Sequence, residues 1–271
     1  MATLYVAHGG GPMPVMGADP VTRRHLESIA GETLRPEAIV CVTAHWEADP
    51  IRVSAHPAPP LLFDYGGFPK ETYEYEYAAR GNPGLALRIR DLLVEAGLGC
   101  ELDETRGIDH GVFVPLMLAY PEADVPVVAV SIHASLDPSI HLGLGRALAP
   151  LRDDGVLVLC SGMSFHNFDG FDFGGQFANF RNTSGMKRPT GAAWDAALAD
   201  AVFDVQNRAK RLAEWRSLPE ADWAHPRGAE DHFVPLLVAA GAAEHDHAHR
   251  IFDGAILGTK VSAYRFGGSS G

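Results

Sequence analysis

The chain reads as a single α/β domain built on a central, mostly parallel sheet with helices on both faces. Three observations predict this class. Short runs at 3–7, 38–43, 51–55, 125–132 and 155–161 are almost continuously apolar, as strands covered on both faces are. Helical patterns fall between them, which is the alternation of a layered α/β fold. The 271 residues, 46% of them hydrophobic, suffice for one large core.

Each element has its own warrant. The stretch 83–97 has Asn82 as a cap, proline in its first turn and Gly97 at its end, the usual signature of a helix. The stretch 137–151 repeats it from Asp137. A helix is expected from Ala192 to Trp215, a short apolar one over 231–241, and a strand pair over 255–266 that closes a sheet edge. The segment 167–191 is rich in Gly, Phe and Asn, lacks periodicity and is too long for an ordinary connection. Its phenylalanines argue against a solvated tail, so it reads as a lid or as a contact between copies in a homo-oligomer.

The formal charge of -12 and pI near 5.5 oppose polyanions, because nucleic-acid affinity rests on neutralising phosphates. Nucleic acids and anionic membranes are thus not expected partners. Cys41, Cys100 and Cys160 are far apart and read as reduced core thiols. The start MATLYVAHGG has no basic or long apolar stretch, and no window reaches the roughly 18 apolar residues of a membrane span. A soluble cytoplasmic protein is the expectation.

The histidines carry the chemistry. His8 follows the strand LYVA, His45 follows IVCVTA, and His166 follows VLVLC and the turn SGMS. Ligands collect at the carboxyl ends of strands in open α/β sheets, so these residues can converge despite their separation in sequence. Any one of them could equally be an isolated, hydrogen-bonded core histidine. Three at one sheet edge are hard to explain by packing, because a buried imidazole needs a partner. His110 in RGIDHGVFVPL and His232 in GAEDHFVPL are each preceded by aspartate and followed by an apolar helical run. The aspartate reads as a helix cap, and the helix start keeps such a histidine neutral, as a ligand or base. His245, His247 and His249 alternate in an expected exposed loop, while His25, His56, His133, His141 and His225 read as structural or exposed. The glycines of AHGGGP have no GxxxxGK(S/T) pattern near them and read as a turn.

The ordered motifs AHGGGP, VTAHWE, FDYGGFP, GIDHGVFVPL, SGMSFHN and EDHFVPL give a wider match. Over residues 3–266 the chain resembles the class III extradiol dioxygenases of the DOPA-dioxygenase type, relatives of protocatechuate ring-cleaving catalytic subunits. The resemblance implies one α/β domain with a mononuclear metal at the sheet edge. It implies that His8 and His45 are metal ligands, His232 the third ligand, His166 the acid/base histidine or a fourth ligand, and His110 a histidine near the substrate. Related subunits use two histidines and a carboxylate, so Glu230 competes with His232 for the third place.

The implied reaction opens a catechol-type ring with dioxygen at iron(II). Four histidines would crowd a shell that must also admit two catechol oxygens and dioxygen, so His166 is assigned to proton transfer with a pKa near neutrality. Zinc(II) suits the same ligands and would instead activate water for hydrolysis. A non-catalytic metal- or protein-binding module is the third reading, against which the intact set of histidines stands. Arg181, Lys187 and Arg188 either pair with a substrate carboxylate or form a solvated basic face, and the solvated face is favoured.

Overall fold

In the computed structural model, which describes residues 1–172 and 189–268, eight strands make one sheet. They are β1 (Thr3–Ala7), β2 (Ala38–Ala48), β3 (Ile51–Ser54), β4 (Cys100–Asp103), β5 (Val127–His133), β6 (Val156–Gly162), β7 (Ala248–Ile256) and β8 (Thr259–Phe266). Their spatial order is β4-β3-β5-β2-β6-β1-β8-β7. The central four, β5, β2, β6 and β1, are mutually parallel. β3 and β8 flank them antiparallel, and β4 and β7 form the two edges.

Alternation along the strands divides the core in two. Val40 and Val42 of β2 pack on one face, Ile39 and Cys41 on the other, because successive strand side chains point to opposite faces. The first face is covered by α2 (Pro83–Glu95), α4 (Pro138–Leu148), α5 (Ala192–Phe203), α6 (Arg208–Ala213), α7 (Ala221–Ala224) and α8 (Val234–Ala242). The second is covered by α1 (Pro20–Ser28) and α3 (His110–Ala119). Asn82 caps α2 by accepting from the Leu85 amide at 3.0 Å, and Asp137 caps α4 by accepting from the Ser139 amide at 2.7 Å, as the sequence predicts.

Four departures have local causes. The expected helix 192–215 breaks after Phe203, because the buried Arg208 guanidinium donates to the carbonyl of Val202 at 2.7 Å and to those of Ala243 and Asp246. The Val202 carbonyl, in the last turn of α5, is thus satisfied outside the helix. β4 escapes the sequence pattern because its CELD residues are exposed or half-buried. The expected exposed loop around His249 is instead the start of β7, where His249 pairs in register with Arg265. α1 begins behind Asp19, which accepts from the Thr22 amide at 3.0 Å. Of the segment 167–191, residues 173–188 lie outside the described residues, and with them Arg181, Lys187 and Arg188. Among the described residues no helix is long and apolar enough to cross a membrane.

Three histidines outside the strand-edge cluster are buried as structural groups. His225 donates from Nε2 to the Ser164 carbonyl at 2.9 Å, His141 accepts at Nε2 from the His133 amide at 3.1 Å, and His25 stacks on Phe252. Burial pushes His25 and His225 down to about 3 and His141 down to about 4, against about 6.5 for an unfolded imidazole. The unfolded chain therefore binds more protons between about 6.5 and these values, so stability is full above about 6.5 and falls as pH drops through that window. Together the three should remove about 3 kcal/mol between pH 6.5 and 5.5. Urea midpoints of the metal-free protein at the two pH values check this, and equal midpoints would contradict the burial of neutral imidazoles.

Candidate metal centre

The sheet order brings the strand-end histidines together. β2, β6 and β1 are neighbours, and His8 directly follows β1, its amide donating to the Gly162 carbonyl at the end of β6 at 3.2 Å. His45 does not follow a finished strand, as the sequence suggests. β2 continues to Ala48, and its register with β5 shifts between Thr43 and Glu47. Such a bulge re-aims side chains beside functional sites, and here it carries His45. His110 is the first residue of α3. His166 lies four positions beyond β6, tied by its amide to the Ala224 carbonyl at 3.0 Å.

Two glycines permit the closeness. A Cβ on Gly111 would stand 2.6 Å from Thr43 Oγ1 and 3.0 Å from His45 Cδ2. On Gly162 it would stand 2.3 Å from the His232 carbonyl. Any side chain there would push α3 or the His232 segment away from the strand ends. The His232 carbonyl also accepts from the Met163 amide at 2.9 Å and the Tyr5 hydroxyl at 3.2 Å.

Proton accounting fixes the bare nitrogens of His8 and His232. Ser161 Oγ is 2.5 Å from the Gly111 carbonyl and can only donate there. It must therefore accept from His8 Nδ1 at 2.9 Å, which leaves His8 Nε2 as a lone pair. His232 Nδ1 donates to Asp231 at 2.6 Å, which again leaves a lone pair on Nε2. His45 Nδ1 faces the Asp64 carboxylate at 3.7 Å, and its Nε2 lies 3.3 Å from His8 Nε2. With the proton on the side of the carboxylate, two lone pairs meet and no proton lies between them.

Buried acceptors without a donor are costly, and a cation is the group that resolves them. The ring centroids of His8, His45 and His232 are 5.0, 5.1 and 4.7 Å apart, and their planes are inclined by 48°, 65° and 83°. An ion about 2.1 Å from each of three imidazole nitrogens sets centroids roughly 4.5–5.3 Å apart. The residues present fit one divalent ion. Ligand atoms lie within 4.8 Å of one another in two groups among the described residues, His8 with His45 and His110, and His166 with Asp231 and His232, so the three rings draw on both groups.

His166 is stacked on His232, centroids 3.4 Å apart and planes 14° from parallel. Glu230 is not among the converging groups, because its carboxylate is paired with Arg216. The aspartates before His110 and His232 do not cap helices, contrary to the sequence reading. Asp109 takes the Thr43 hydroxyl at 2.7 Å and Arg106 at 3.0 Å, and Asp231 holds His232. Both serve the site instead, Asp109 by reaching Thr43 of β2 and Asp231 by holding the imidazole next to it in the chain.

Burial favours the neutral form at His8, His45, His166 and His232. It pushes His8 and His232 well below the ordinary imidazole range, helped by their histidine neighbours. Burial also pushes His45 down to about 3, with His110 adding to the effect and Asp64 opposing it. His166 is pushed down to about 4, burial outweighing the attraction of Asp231, which corrects the expectation of a value near neutrality. Burial pushes the Asp109 carboxyl up. Asp64 is also pushed up by burial, but the hydrogen bonds and charge of His110 outweigh this and hold it below the usual carboxylate range.

A cavity of about 210 Å³ opens over the histidines, lined by His45, His110, His166 and His232 with Gly10, Gly11, Met13, Tyr65, Gly66, Phe68 and Phe168. Sequence reasoning assigned no role to Ser161, Asp64 or the aromatic wall, and none at the site to Asp231. FDYGGFP was noticed only as part of a wider match, and the EDH run was read as a cap.

The comparisons with known proteins agree with this geometry. Residues 4–269 match the model of the family described as catalytic LigB subunit of aromatic ring-opening dioxygenase. A dioxygenase from Hapsidospora irregularis, tasH, is 40% identical over 98% of this chain and 85% of its own length. A 4,5-DOPA dioxygenase extradiol from Beta vulgaris is 37% identical over 97% of this chain and 96% of its own. The crystal structure of an uncharacterized Escherichia coli K12 protein superposes with a TM-score of 0.79 at 27% identity, covering 98% of this chain and all of that one. With a histidine-lined strand edge and a family match over nearly its whole length, the chain belongs to the LigB family of aromatic ring-opening dioxygenase catalytic subunits.

Proposed function

We propose that this extradiol ring-cleaving dioxygenase works with a single iron(II) held by His8, His45 and His232, with His166 as proton-transfer group and His110 as substrate contact. The observation that carries the reading is the gathering of three imidazole rings, centroids 4.7 to 5.1 Å apart, whose Nδ1 atoms are directed to Ser161, Asp64 and Asp231. Its substrate is a small aromatic molecule of the catechol type, taken with dioxygen. The acidic charge balance supports such a substrate over a nucleic acid or an anionic membrane, and three free thiols suit the cytoplasm.

Bound iron(II) supplies a positive charge that favours catecholate over catechol and a one-electron partner for dioxygen. The rest falls to side chains. His166 is neutral at physiological pH and so can take a proton from a catechol hydroxyl, and later return it. It is not a ligand on this reading, because a nitrogen lone pair lies in its ring plane. Two near-parallel planes 3.4 Å apart do not meet at one ion. His110 turns Nδ1 to Asp64 at 2.7 Å and lines the cavity, where its other nitrogen is available to substrate oxygen. Tyr65, Phe68, Met13 and Phe168 supply an apolar wall for the ring.

Anaerobic loading with iron(II), then catechol and oxygen, is expected to give a coloured ring-opened product, and zinc(II) in the same site is expected to give none. No product from an iron-loaded protein across a broad catechol panel would overturn the reading. Replacing His8, His45 or His232 by alanine should abolish metal binding, measured by metal content after gel filtration. His166→Ala should retain the metal and lose about 100- to 10,000-fold in kcat; release of the metal would instead make it a ligand. Glu230→Gln should keep the metal, since its partner is Arg216.

A further inference from the structure

The FDYGGFP loop carries one carboxylate that reaches two imidazoles of the site. Asp64 Oδ1 accepts from both the backbone amide of His110 at 3.0 Å and its ring Nδ1 at 2.7 Å. Asp64 Oδ2 lies 3.7 Å from His45 Nδ1, an electrostatic contact longer than a direct hydrogen bond. Those two rings are themselves only 3.9 Å apart, centroid to centroid. We propose that Asp64 is a positioning residue that sets the tautomer and orientation of His45 and His110 together, so that both present Nε2 to the cavity.

The physical reason is that a neutral imidazole has one proton, and a carboxylate beside one nitrogen draws the proton to it. His8 and His232 have separate holders in Ser161 and Asp231. His45 and His110 share theirs, so one side chain governs a metal ligand and a substrate contact at once. The assignment rests on the metal reading above.

The loop does not depend on this carboxylate for its place. The Leu62 amide donates to the Ile108 carbonyl at 2.8 Å, and the Ile108 amide to that of Pro60 at 2.9 Å. The Tyr65 hydroxyl donates to the Thr72 carbonyl at 2.5 Å, and Phe63 packs edge-on against Phe113 of α3. Asp64→Asn therefore leaves the loop anchored and keeps one oxygen for the His110 amide. It also removes the charge and can set an amide donor against the His45 Nδ1 proton.

Zinc(II) is the diamagnetic probe. In the isotope-labelled, zinc-loaded wild-type protein, long-range proton–nitrogen NMR spectra are expected to find His45 and His110 both protonated at Nδ1. Asp64→Asn should weaken zinc binding in chelator competition, and lower kcat of the iron-loaded enzyme, each by about 10- to 100-fold. The melting temperature of the metal-free protein should change little. Protonation at Nε2 of either ring in the wild type would overturn the proposal. So would unchanged zinc affinity and kcat in the variant, or a lower melting temperature with kcat per bound metal intact, which marks a structural tether. A wild-type chain that takes up no zinc would remove the metal reading and this inference with it, whereas uptake with the wrong tautomer removes this inference alone.

Discussion

The constraint on which the site depends is the placement of three protons. A neutral imidazole buried at a strand edge must spend its single N–H on an acceptor, and the acceptor's position decides which nitrogen is left bare. Ser161 and Asp231 draw those protons to the outer nitrogens of His8 and His232, and Asp64 does the same electrostatically at His45. The bare nitrogens then face one another. Without a cation the arrangement would leave unsatisfied acceptors in a buried space, so the cost of the empty site is the affinity of the filled one.

The scaffold makes that placement rigid. His8 and Ser161 sit on or directly beside paired parallel strands, and the bulge in β2 turns His45 toward them without ending the strand. Gly111 and Gly162 remove the Cβ atoms that would hold α3 and the His232 segment off the strand ends. Packed sheet ends hold side chains more narrowly than loops do. The loops supply what needs variety, the aromatic wall and the carboxylate of Asp64.

On the reading proposed above, distinct environments divide labour among five histidines of one chemical type. The inclined planes of His8, His45 and His232 can address a common point, whereas the stacked His166 cannot share it with His232. His166 is left beside the cavity as a neutral group able to take a proton. His110 is turned by Asp64 toward the space where the substrate ring would lie. The match over residues 4–269 to aromatic ring-opening dioxygenase subunits is what this division of roles leads one to expect.

Much of this was legible in local pattern. Continuous apolar runs marked the four parallel strands, caps at Asn82 and Asp137 marked two helices, and histidines at strand ends marked the edge where the site forms. Local pattern records which face of an element is buried, and strands covered on both faces record it most strongly. It does not record β4 or most of β7, whose residues are nearly all half-buried or exposed and whose pairing comes from a neighbour. Nor does it record that the Glu230 carboxylate is taken up by Arg216, fourteen positions away in the chain. By itself the sequence determined the fold class, the strand edge and the residue types gathered there. The tertiary structure alone decided which nitrogen each histidine presents and what pKa His166 has, because tautomer and burial are set by groups brought from distant parts of the chain.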